Sequence, residues 1–305
     1  MKRSALGVIA AFSMTAAAPL WAAPVTIAHQ QGEVTLPKAP QSVVVLDWAN
    51  VDTLDALGVP IAGVPGSNVP DYLSKFAGDD YAKLGSLQEP DVEGIAALNP
   101  DLVIVAARSR RSQPQLNGIV PTVDMSIDNA DFIASVKANI LEYGEIFGRG
   151  DRAREMVADL DAKVERLRAA AQGKGTAMTL VTSGNKLGVY GAESRTSWLQ
   201  REVGFPTVTN AVDDRSDRGD AASFEFILEA NPDWLFVVDR DAGVGQESGE
   251  AARALLDNEL VRQTSAWTKD QVVYLDPQRA YVVMNGYQAL SDLLDQVHDA
   301  VSDKG

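Results

Sequence analysis

Glu93-Gly94-Ile95-Ala96-Ala97-Leu98-Asn99-Pro100-Asp101-Leu102-Val103-Ile104-Val105-Ala106-Ala107-Arg108 has a second copy later in the chain. That copy reads Glu225-Phe226-Ile227-Leu228-Glu229-Ala230-Asn231-Pro232-Asp233-Trp234-Leu235-Phe236-Val237-Val238-Asp239-Arg240. Glu, Asn, Pro, Asp and Arg each recur at an offset of 132 with no gap. Each copy reads as a short helix, an Asn-Pro-Asp stop, a buried strand and an arginine at the strand's end. Proline accounts for the stop, because it has no N–H to donate and biases the residue before it away from the helix. The apolar runs after Asp101 and Asp233 are short and rich in β-branched or aromatic residues, as in strands covered on both faces. The repeat therefore predicts an α/β chain of two Rossmann-like lobes with mostly parallel sheets. Ligands of open α/β sheets sit outside the carboxyl ends of the strands. Two facing lobes would aim Arg108 and Arg240 into one cleft.

Between the copies, Gly148-Arg149-Gly150 breaks a helical stretch, and Asp151 is expected to cap a long helix reaching Gln172. Met156, Leu160, Val164, Leu167 and Ala171 recur every three or four positions and form one apolar stripe. This helix is placed between the lobes as a stiff connector. The division is a signal peptide over 1–22, an N-terminal lobe over 23–150, the joining helix over 151–172 and a C-terminal lobe over 173–305. Val25 to Leu36 alternates around a Gly and predicts a β-hairpin. Asp276 to Asn285, with Arg279 and Tyr281, reads as a loop before a closing amphipathic helix from Tyr287.

The N-terminus has the marks of a secretory signal: Lys2 and Arg3, an apolar small-residue run from Ala5 to Ala18, and a small-residue cleavage region favouring a cut after Ala22. Its apolar run is too short to span a bilayer comfortably. The formal charge is −15, and −17 once Lys2 and Arg3 are removed. So acidic a protein has no general attraction for nucleic acid or an anionic membrane. There is no cysteine, which rules out disulfides, thiolate metal sites and lipid attachment at an N-terminal cysteine. Two histidines, His29 and His298, cannot build a His-rich metal cage.

Motifs of nucleophilic hydrolases, nucleotide-binding loops and zinc proteases are missing from the chain. Three arginines stand out instead: Arg108 and Arg240 from the repeat, and Arg195 at a strand-to-helix turn. Guanidinium stays charged and offers a fork of donors, so a convergent set suits an anionic ligand. Glu93 and Glu225, also related by the repeat, open equivalent helices. They read either as charge compensation of a helix N-terminus or as paired docking knobs for a two-fold symmetric partner.

The signal peptide, the two Glu…Asn-Pro-Asp repeats and the joining helix resemble the periplasmic (class III) substrate-binding proteins of ABC importers for iron complexes. The nearest likeness is to ferric-siderophore binders of the CeuE/FatB type. It is carried by Gly191-Ala192-Glu193-Ser194-Arg195, by Ser223 to Asp233, by Val237-Val238-Asp239-Arg240, by Leu255-Leu256-Asp257-Asn258 and by Val273-Tyr274-Leu275-Asp276-Pro277. The resemblance implies a monomer that binds an iron(III)-siderophore complex, favoured as a catecholate, without a cofactor and without catalysis. It also implies periplasmic delivery to a permease and, through it, an ATPase. Arg108, Arg195 and Arg240 match the family's basic pocket. Glu93 and Glu225 match its permease-docking acids. Tyr281 matches a tyrosine that ligates iron in some members, whereas the partner histidine position falls on Arg218, which cannot ligate iron. Arg218 is instead expected to add a fourth positive charge. A haem or cobalamin binder of the same fold, and a secreted α/β enzyme acting on an anion, are the alternatives.

Overall fold

The computed structural model describes residues 24–191, 193–208, 220–246 and 250–304. The expected signal peptide over 1–22 and Arg218 therefore lie outside the described residues. The described residues begin with the antiparallel hairpin β1 (Val25–His29) and β2 (Gly32–Leu36). Among the described residues the remaining strands form two sheets.

The first sheet holds β3 (Val43–Val45), β4 (Gly63–Val64), β5 (Ala82–Lys83), β6 (Leu102–Val105) and β7 (Thr122–Asp124). Its order is β5-β4-β3-β6-β7 and every pairing is parallel. With it go α1 (Trp48–Ala56), α2 (Val92–Leu98), α3 (Gln113–Asn117) and α4 (Phe132–Ile146). The long helix α5 (Gly150–Ala171) follows. The second sheet holds β8 (Ala177–Ser183), β9 (Lys186–Tyr190), β10 (Asp220–Ala222), β11 (Trp234–Asp239) and β12 (Val272–Tyr274), in the order β10-β9-β8-β11-β12. Its helices are α6 (Trp198–Arg201), α7 (Phe224–Ala230), α8 (Arg240–Gly243), α9 (Glu250–Leu256), α10 (Ser265–Thr268) and the closing α11 (Tyr287–Lys304). Here β8, β11 and β12 run parallel, but β9 and β10 pair antiparallel. Gly184 at positive φ lets β8 fold straight back into β9, so the Lys186–Tyr190 segment becomes a strand that the repeat gives no reason to expect.

The two repeat copies superimpose in role. Strands β6 and β11 are wholly buried and interior to their sheets, each next to the middle strand. The helix before each ends on an asparagine in the left-handed region, Asn99 at φ 49° and Asn231 at φ 42°. The stop thus belongs to Asn as much as to Pro, because Asn tolerates that conformation and Pro then forbids continuation. The following aspartate ties the strand to its neighbour. Asp101 Oδ2 accepts from the amides of Gln41 and Ser42 at 2.8 and 3.0 Å, just before β3. Asp233 Oδ2 accepts from the amide of Thr176 at 3.0 Å, just before β8.

All five residues of the predicted stripe on α5 are buried. Arg149, not Asp151, occupies its N-cap, and Asp151 pairs with Arg154 one turn along. Against α5 lies α4, with Gly144 at the crossing: a Cβ there would meet Ala153 Cβ at 2.5 Å. α11 lies on α5 too, through Tyr287 Oη donating to Asp159 at 3.1 Å and Lys163 bonded to Ser291 and Asp295. It also lies on α1. Buried Asp52 accepts from the amides of Gln288 at 2.7 Å and Ala289 at 3.1 Å, and from Tyr72 Oη at 2.5 Å. No described helix is long and apolar enough to cross a membrane.

Two predictions follow the packing. Gly144→Ala should destabilise the protein by about 1–3 kcal/mol through overpacking against Ala153, read as a lower urea midpoint at unchanged m. Burial pushes the Asp52 carboxyl up from 3.8 to about 7, against the opposing pull of Tyr72 and the two amides. The folded chain therefore binds a proton below about pH 7 that the unfolded chain binds only near its own ordinary value. The stability contributed by this group is full in acid and is lost as pH rises through about 7. Asp52→Asn should remove that component, so the difference in urea midpoint between variant and wild type should change across this window; a constant difference would contradict it.

Candidate functional site

In both sheets the chain reverses its direction of strand addition at the centre, between β3 and β6 and between β8 and β11. Crevices at such switch points are where α/β folds take ligands. Arg108 lies three residues beyond β6, and Arg240 directly follows β11.

Arg108 is delivered by an unusual piece of backbone. Ala107 stands at φ 43°, a left-handed conformation rarely held by a residue with a Cβ, and its amide is fixed on Ser126 Oγ at 2.8 Å. Ser109 Oγ closes the same turn by donating to Ala106 O at 3.0 Å. Arg195 stands in the turn after β9. Ser194 Oγ, donating to Gly191 O at 2.7 Å, shapes that turn. Arg240 begins α8, which Asp239 caps by accepting from Ala242 N at 3.1 Å.

The three guanidiniums meet at one side chain. Arg108, Arg195 and Arg240 lie 5.4, 5.2 and 5.8 Å from the ring centroid of Tyr281. Arg108 Nη2 and Arg195 Nη1 donate to the Tyr281 carbonyl at 3.1 and 3.0 Å. Arg240 donates to Ser183 Oγ at 3.4 Å and pairs with Asp241. Tyr281 itself is not in a loop. Residues Arg279–Val283 form a π-helical turn, a geometry that widens the backbone and is enriched at functional sites.

The electrostatics are those of a site short of negative charge. Burial lowers the Arg108 pKa first, and the Arg195 charge adds to it, while Asp47 and Tyr281 work the other way. Asp47 is itself buried and pushed up by that burial, with its bonds to Asn50, the Arg108 charge and the Ala49 amide opposing. Partial burial works against the Arg240 charge, but Tyr281 and Asp241 outweigh it and raise its pKa.

A cavity of about 690 Å³ opens beside Arg240 and Tyr281, with Ser183, Asn185, Lys186, Phe224 and Glu225 on its walls. A larger one of about 820 Å³, walled by Arg253, Trp267, Tyr274 and Lys304, contains none of the strand-end arginines. We assign the site to the 690 Å³ cavity because Arg240 and Tyr281 line it, and Tyr281 is where Arg108 and Arg195 converge. Among the described residues no cluster of three or more His, Asp or Glu is arranged to hold a metal ion. Asp47, Ser183, Asp241 and Lys186 belong to no motif of the sequence; the adjacency of Asp241 to Arg240 is a signal that could have marked that one.

Glu93 and Glu225 are both exposed and both occupy the first turn of their helices, whose caps are Asp91 and Ser223. The Glu225 carboxyl is held below the usual range by its own backbone amide and the Ser223 hydroxyl, so it stays ionised.

Comparison with known proteins agrees with this architecture. The petrobactin-binding protein YclQ of Bacillus subtilis is 31% identical over 282 residues, covering 91% of this chain and 88% of its own. Its crystal structure matches with a TM-score of 0.86 over 91% of this chain and 98% of that one. The ferric-anguibactin-binding protein FatB of Vibrio anguillarum is 32% identical over 281 residues, covering 90% of this chain and 86% of its own. The catecholate-siderophore binding protein VctP of Vibrio cholerae is 31% identical, with a TM-score of 0.84 over 92% of this chain and 99% of that one. The sequence profile described as "Periplasmic binding protein" matches residues 43–279, and the chain belongs to that family.

Proposed function

We propose that this protein captures an anionic ferric siderophore, of catecholate type, and hands it to an ABC permease in the inner membrane, whose ATPase drives uptake. The observation that carries this reading is the convergence of Arg108, Arg195 and Arg240 on Tyr281. A ferric tris-catecholate is trianionic. A partly desolvated cluster of three fixed cations supplies its charge complement with little rearrangement. Petrobactin, ferric anguibactin and catecholate siderophores are the ligands named for its relatives, which supports the same assignment.

In this reading the lobes 23–150 and 173–305, joined by the helix 151–172, enclose the ligand, and function consists of binding and release without catalysis. Tyr281 meets the ligand by stacking on a catechol or by giving its phenol oxygen to the iron. Arg218 adds positive charge from outside the described residues. Glu93 and Glu225 form the docking pair, which their equivalent exposed positions support. The protein acts as a monomer in the periplasm after its signal peptide is removed.

Arg108→Ala, Arg195→Ala and Arg240→Ala should each weaken binding of a ferric tris-catecholate by about 10- to 100-fold, as expected for a lost charge-assisted contact. Tryptophan-fluorescence titration with a thermal-shift control measures this. A neutral ferric hydroxamate, haem and cobalamin complete the panel. Equal losses for the hydroxamate would remove charge as the basis of recognition. Separately, Glu93→Ala, at a position outside the cavity beside Arg240, should leave ligand affinity within about twofold and sharply reduce uptake by cells; normal uptake would dispose of the docking role.

A further inference from the structure

Tyr281 belongs to the second half of the chain, yet the first lobe holds the segment around it. The Asp52 carboxylate, fully buried on α1, occupies the start of α11 by accepting from the amides of Gln288 and Ala289. Thr53 Oγ1 accepts the neighbouring Tyr287 amide at 3.1 Å. Gly286 makes the approach possible, since a Cβ there would stand 2.7 Å from Asp52 Cγ. The same carboxylate takes the hydroxyl of Tyr72, and the Tyr72 ring lies 4.3 Å from the guanidinium carbon of Arg279. Arg279 and Tyr281 share the π-helical turn, which connects to the α11 start through Gly286 N donating to Val283 O at 2.6 Å. Asp71 N reaches Gln278 Oε1 at 2.9 Å on the other side.

The first-turn amides of a helix have no partners within it and carry its positive partial charge. A buried carboxyl group whose two oxygens accept from them fixes the helix start in position and direction. We infer that Asp52 is a positioning residue for the ligand site. By holding the start of α11, and through Tyr72 and Arg279 the turn before it, Asp52 sets where Tyr281 stands among the three arginines. This rests on the proposed function only in assuming that Tyr281 meets the ligand.

Two measurements test it. The first needs no ligand: the fluorine NMR resonance of fluorotyrosine at position 281, assigned with Tyr281→Phe, should shift or broaden in Asp52→Asn. The second is a double-mutant cycle with iron(III) tris-catecholate. Asp52→Asn should weaken binding about tenfold in the wild-type background and less than about twofold beside Tyr281→Ala. Tyr72→Phe, which keeps the ring under Arg279 and removes one hydroxyl, should show the same non-additivity with a smaller loss, and serves if Asp52→Asn does not fold. An unmoved resonance, or equal losses in both backgrounds, would overturn the positioning role. Failure of the wild type to bind the complex would sink the functional reading alone and leave the resonance to decide this one.

Discussion

Three like charges held around one tyrosine are the constraint on which the site depends. Each guanidinium lies within 6 Å of the same ring centroid, so no pair is more than about 11 Å apart; at an effective dielectric near 20, each pair repels by about 1.5 kcal/mol or more. Side chains free to move would separate. They are held by what precedes them: the left-handed Ala107, the Ser194 turn, and the Asp239 cap at the end of a six-residue buried strand. The Tyr281 carbonyl and ring supply part of the missing negative potential. A trianion entering this space would relieve repulsion as well as gain contacts.

Construction of both lobes from one plan explains how two of these charges come to face each other. The Asn-Pro-Asp element ends a helix, starts a central strand and pins the neighbouring strand with one carboxylate. In each lobe that fixes the strand whose carboxyl end carries an arginine. The repeat preserves this scaffold and leaves the surroundings free to differ. Asp47 faces Arg108 in one lobe, while Ser183 and Asp241 hold Arg240 in the other.

The repeat, the central strands and the arginine set were legible because each leaves a local signature: a dipeptide that stops helices, a β-branched run, a charge at a fixed offset. Other features depended on partners remote in sequence. Lys186–Tyr190 is an antiparallel strand because β8 turns back at Gly184, and Asp220–Ala222 of β10 pairs with it from later in the chain. Nothing in Arg279 to Val283 announces a π-helical turn, which packs against Tyr72 and Gly243. Asp52 looked like one more polar residue on a helix. Its role is visible only once α11, more than two hundred residues later, lies against it.

The connection of the lobes bears on kinetics. Helix α5 has 22 residues, about 33 Å of continuous rod, and α11 is fastened along it and across to α1. Lobes mounted on such a strut, with a second strut returning, have few orientations to explore before they meet a ligand. Association would then be limited by diffusion and by shedding water from the charges rather than by a conformational search. Residence time, in turn, would be governed by whatever disturbs the arginine cluster.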